Sequence, residues 1–129
     1  ACVQSSVFAG FVGIRFVKNT KATIGFTRFA PLTCTIELPA VNSEATHNFY
    51  KKVFAELDNL NIPFTLHWGQ EGDYSPQRLS RMYGALLDKR IQARKQFLPD
   101  SVQSYMFTND FLKRCGINEA APLTGGTII

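Results

Sequence analysis

The chain is poor in several things, and each shortage narrows the reading. Its 129 residues contain three cysteines, Cys2, Cys34 and Cys115, widely spaced and with no CxxC pair. That count argues against a disulfide framework and against a zinc site, and it predicts free, buried thiols in a reducing, cytoplasmic setting. No apolar run approaches the roughly 20 residues that span a bilayer. The first residues do not read as the basic and apolar regions of a secretory signal. Residue 1 is Ala rather than Met, and a strand-like pattern begins near Val7; the expectation is a piece of a longer protein. There is one tryptophan against eleven phenylalanines, many of them in strand-like stretches. No glycine-rich phosphate-binding loop, internal repeat or low-complexity tract is evident.

What is present is ordinary in bulk. Hydrophobic residues make up 45% and charged residues 19%, the balance of one globular domain with a real core. The net charge of +4 comes mainly from Arg78, Arg81, Lys89, Arg90, Arg94 and Lys95. A basic stripe without a recognised motif or stacking aromatics reads as the solvated face of a helix, and nucleic-acid binding is not expected.

Period-two alternation predicts strands at 6–18, 22–29, 32–38 and 63–68. Helical spacing of Phe49, Tyr50, Val53, Phe54, Leu57 and Leu60 predicts a first helix, capped by Asn42 or Ser43 and ended by Asn61. A second is predicted from Pro76 to Phe97, capped by Ser75. One or two short helices follow in 101–115, stopped by Gly116. The order β-β-β-α-β-α-α predicts an α+β fold: an antiparallel-rich four-stranded sheet with helices on one face. Residues 1–116 would form the domain and 117–129 a flexible tail.

That sheet would have two unlike faces. Phe8, Val12, Ile14, Phe16, Ile24, Phe26, Cys34, Ile36, Leu38, Phe64, Leu66 and Trp68 would turn towards the helices. Phe11, Arg15, Thr23, Thr27, Thr33, Thr35, Glu37, Thr65 and His67 would turn the other way. A solvated face explains the threonines. Phe11 with Gly10 and Gly13 in the first strand equally fits close approach by a ligand.

The most distinctive element is His67-Trp68-Gly69-Gln70, where the last predicted strand becomes a loop. Arg15 in an early strand, a Thr- and Glu-bearing strand, a helix, and a strand ending in that tetrapeptide together resemble the C-terminal part of FAD-linked oxidases of the vanillyl-alcohol-oxidase type, especially sugar-lactone and alditol oxidases. Met106-Phe107-Thr108-Asn109-Asp110-Phe111-Leu112 is similar to that family's ending, and Tyr83-Gly84 and Arg94 fit ahead of it. The resemblance covers roughly residues 7 to 116.

It implies a substrate-binding cap that acts with an N-terminal FAD-binding domain of the same parent chain on a small CH–OH substrate. FAD would bind in the full-length parent and not to this chain alone. The candidate catalytic residues are then Arg15, Glu37 and His67; the candidate cofactor-binding residues are Trp68, Gly69, Gln70 and Asn109. No metal ligands are implied. The resemblance has departures. The family's Glu-x-Arg stands here as Gly13-Ile14-Arg15, with Glu37 as a replacement acid. Gln70 stands where a lysine often follows. The other reading is a stand-alone α+β module that binds a small ligand or protein without catalysis. An exposed sheet face and an open edge would also allow a homodimer.

Overall fold

The computed structural model describes residues 9–118. The chain divides into two compact units, Ala1–Thr20 with Thr27–Thr65, and Lys21–Phe26 with Leu66–Ile129.

Among its described residues the first unit holds two strands and a helix. Strand β1, Gly13–Lys18, pairs antiparallel with β2, Leu32–Glu37, in the register Gly13↔Glu37 through Lys18↔Leu32. A bridge between Gly10 and Ala40 prolongs the ribbon. The bonds Phe11 N–H to Pro39 O and Asn19 N–H to Pro31 O show that odd-numbered residues face each other across the ladder. Helix α1, Glu44–Asn59, starts at Ser43, whose hydroxyl accepts from the Thr46 N–H. Asn61 follows it at φ 53°, in the left-handed region expected of it. Phe49 is buried, and Phe54 stacks on Phe64 at 5.9 Å between centroids.

The second unit is helical. Helices α2, Pro76–Tyr83, and α3, Ala85–Phe97, replace the single predicted helix. Ser75 caps α2, and Pro76 takes its first turn, as expected. The break falls at Gly84, with φ 51° and ψ −133°, where an L side chain would be strained even though the space around it is open. Helices α4, Ser101–Met106, and α5, Asp110–Cys115, complete the set, and Gly116 ends α5 at φ 67°. Leu79, Tyr83 and Cys115 are fully buried, joined in one core by Tyr74, Met82, Leu87, Ile91 and Ile117. Each such side chain contributes roughly 1.5–3 kcal/mol of burial.

The four-stranded sheet is therefore not formed: the described residues carry one two-stranded sheet and five helices. The segment 22–29 alternates but is not a strand, although Thr27 O accepts from the Thr20 N–H. It makes a tight turn, Gly25 N–H to Ala22 O, and Ile24 packs against the core of the second unit. The segment 63–68 has no ladder either, and Leu66 and Trp68 pack on the same core. Alternation allows a strand, but a strand exists only where a partner backbone supplies hydrogen bonds.

The expected helix-facing side of the sheet is exposed, with Phe16 at 71% and Ile36 at 60%. Thr33, expected on the polar side, is buried instead and exchanges hydrogen bonds with the Phe29 backbone. Of the expected tail, Ile117 is buried and Asn118 accepts a hydrogen bond from Arg94; residues 119–129 lie outside the described range, as does Cys2. Among the described residues no helix is long and apolar enough to cross a membrane.

Candidate functional site

The four residues His67, Trp68, Gly69 and Gln70 are the four residues of one reverse turn, closed by Gln70 N–H to His67 O at 3.0 Å. Three sets of contacts fix it. The Trp68 indole N–H donates to Ile24 O at 2.8 Å, and the indole stacks with Tyr74 and Tyr83 and meets Phe111 edge-on. The Tyr74 hydroxyl lies within hydrogen-bond reach of His67 O and Gln70 O, the two carbonyls at the ends of the turn, and shares its one proton between them. The Gly69 N–H donates to His67 Nδ1 at 3.2 Å. With Nδ1 accepting, the proton of the neutral ring sits on Nε2. The imidazole and the Phe26 ring meet in an edge-type arrangement with centroids 4.6 Å apart, yet His67 as a residue stays exposed, as do Gly69 and Gln70. A rigid turn thus presents an imidazole Nε2–H and a side-chain amide to solvent.

The Tyr74 hydroxyl is shifted by its surroundings. Burial holds its pKa above 10.0, the Cys115 thiol adds to that, and the backbone bond at Gln70 opposes it. Cys115 is raised above 9.0 by burial, against the pull of Arg114. Just ahead of α2, Asp73 is held below the usual carboxylate value, first by the Ser75 N–H and then by the Ser75 side chain and Arg78; partial burial opposes them.

The predicted site residues separate into groups. Arg15 and Glu37 lie on one face of the ribbon, joined by a 2.7 Å ion pair; both are largely exposed. They belong to the first unit, whereas His67, Trp68, Gly69, Gln70 and Asn109 belong to the second. His67 does not share their sheet face, because residues 63–68 are not a strand. Trp68 is engaged in packing and Gly69 in its bond to His67. The Asn109 side chain is the N-cap of α5, accepting from Leu112 N–H at 2.9 Å.

Two cations assigned to a solvated helix face are otherwise used. Arg78 pairs with Asp73 at 3.5 Å. Arg94 is buried, and its guanidinium donates to Asn118 O, Ser104 O, Phe107 O and Thr108 Oγ1. The residue that sequence reasoning missed is Tyr74, whose only signal was an aromatic flanked by turn formers in Gly72-Asp73-Tyr74-Ser75. Among the described residues no group of three or more His, Cys, Asp or Glu side chains could hold a metal ion.

Comparison with protein-family models, with curated proteins and with solved structures found no match to the chain.

Proposed function

We propose that the chain is the C-terminal, substrate-binding cap portion of an FAD-dependent oxidoreductase acting on a CH–OH substrate, partnered by an FAD-binding domain of the parent chain. The observation that carries this reading is the braced turn His67–Gln70, which holds an exposed imidazole and amide at a fixed spacing. With Trp68, Gly69 and Asn109 committed to packing, the turn and a helix cap, contacts to a flavin or substrate fall to His67 and Gln70. A bound flavin would accept the hydride of the substrate carbon while the hydroxyl proton passes to water. In the tautomer set by Gly69, Nε2–H of His67 is a donor; it positions a substrate oxygen rather than removing its proton.

The test is made on the parent chain. After anaerobic mixing with polyol or lactone substrates, flavin bleaching followed in a stopped-flow instrument is expected to slow on the order of 100-fold in His67→Ala and in Gln70→Ala with FAD content unchanged, the cost of losing one positioned donor. Unchanged bleaching in both variants overturns the assignment of these residues.

A second reading, a stand-alone small-ligand or protein-binding module, is favoured by the Arg15–Glu37 pair, whose mutual neutralisation suits recognition better than stabilisation of developing charge. A parent gene that encodes no flavin-binding domain would select it.

A further inference from the structure

We propose that β2 is a docking edge for a second copy of this chain, the two β2 strands pairing antiparallel about a twofold axis through Cys34. Because odd-numbered residues bond across the β1–β2 ladder, the N–H and C=O groups of Leu32, Cys34 and Ile36 point outward from the ribbon. At the far end, the outward carbonyl of Leu38 is taken by the Tyr50 hydroxyl, so among the described residues the open edge runs from Leu32 to Ile36. Both prolines flanking it, Pro31 and Pro39, sit at odd positions. Their missing N–H groups face β1 and leave the outer edge unblocked.

The occupant follows from parity and charge. Pairing Cys34 with Cys34 of the second copy sets Leu32 against Ile36 in both directions. Each of these pairs exchanges both N–H···O bonds. The same register extends the exposed apolar face of Ile14, Phe16, Leu32 and Ile36 into a matching face on the other copy. Between Leu32 and Ile36 the edge carries no charge, and the two Glu37 side chains would lie about 20 Å apart. The competing edge, β1, carries Arg15 and Lys18, which a twofold axis would bring towards their own copies. A two-stranded ribbon is at best marginally stable alone, so the pairing also completes a four-stranded sheet. This interface lies within the first unit and is independent of the reading of the His67 turn.

The test reads register as well as mass. Sedimentation velocity under reducing conditions is expected to show a dimer at about 100 µM, and Cys34→Pro, which removes one outward N–H per copy and leaves the β1–β2 ladder bonded, to weaken it about tenfold or more. In a cysteine-free background, Cys34 is then restored, or a single cysteine is introduced by Leu32→Cys or Ile36→Cys, and each is oxidised with diamide, which takes up the two thiol hydrogens as the disulfide forms. Position 34 is expected to cross-link to itself, since paired Cα atoms lie about 5.5 Å apart. Positions 32 and 36 are expected to cross-link only when the two variants are mixed, because each is about 13 Å from its own copy. A monomer throughout, or self-linking at 32 as fast as at 34, overturns the proposal.

Discussion

The Trp68 indole N–H bonds to the carbonyl of Ile24, 2.8 Å away and 44 residues earlier in the chain. That contact ties the loop 21–26 to the turn carrying His67, and it explains why a segment that alternates like a strand does not become one. Ile24 satisfies its carbonyl with a side chain rather than a ladder, and its own side chain goes to the helical core.

Trp68→Phe is expected to keep the aromatic packing but leave Ile24 O without this donor, lowering stability by about 1–3 kcal/mol. Trp68→Ala would also lose the packing, at about 3–5 kcal/mol. Urea denaturation followed by circular dichroism measures both, since the chain has no second tryptophan to report on unfolding. Equal losses in the two variants would mean that the hydrogen bond dominates.

Arg94 holds three backbone carbonyls and the Thr108 hydroxyl from inside the second unit. A lysine cannot reproduce that planar fork. Arg94→Lys is expected to cost on the order of 2 kcal/mol and to raise amide exchange across 104–108 before the rest of the unit opens. Hydrogen exchange read by mass spectrometry checks the location.

The Asp73 carboxyl is depressed in the folded state, so its contribution is present above the unfolded value and is lost as pH falls through the lower folded one. Asp73→Asn is therefore expected to flatten the stability profile below about pH 4. At the other extreme, Tyr74 and Cys115 are raised, so their contribution is complete below their unfolded values and is lost as pH rises through the folded ones. Alkaline unfolding above about pH 9 should begin later in Cys115→Ala, provided the small cavity is tolerated. Denaturant midpoints measured across pH decide both.

Cys34 is exposed and Cys115 is fully buried. In a Cys2→Ser background, a colorimetric thiol reagent should titrate one thiol rapidly and the second only on unfolding. Rapid reaction of both would contradict the packing of α5 against α2.

The helices were legible in the sequence because their signals are local. Ser43, Ser75 with Pro76, Asn61 and Gly116 act within a turn of where they stand, and all four occupy the places their chemistry suggests. The mixture of residues in His67–Gln70 likewise marked a turn, since Gly69 and a polar neighbour suffice for one. The helix break at Gly84 is not legible in the sequence, because a lone glycine inside a helical pattern is usually tolerated.

What only the tertiary structure decided is everything that needs a distant partner. Alternation in 22–29 and 63–68 set which side chains share a side, but not whether a neighbouring backbone would arrive. The core of the second unit took Ile24, Leu66 and Trp68 instead. Alternation likewise placed Ile14 and Phe16 together on β1 without saying that nothing among the described residues covers them. Arg15 and Glu37 met because the register Gly13↔Glu37 brought them onto one face, whereas His67 went to another unit altogether. Periodicity fixes the direction of a side chain relative to its own backbone; its partner is chosen by the free energy of contacts far away in sequence.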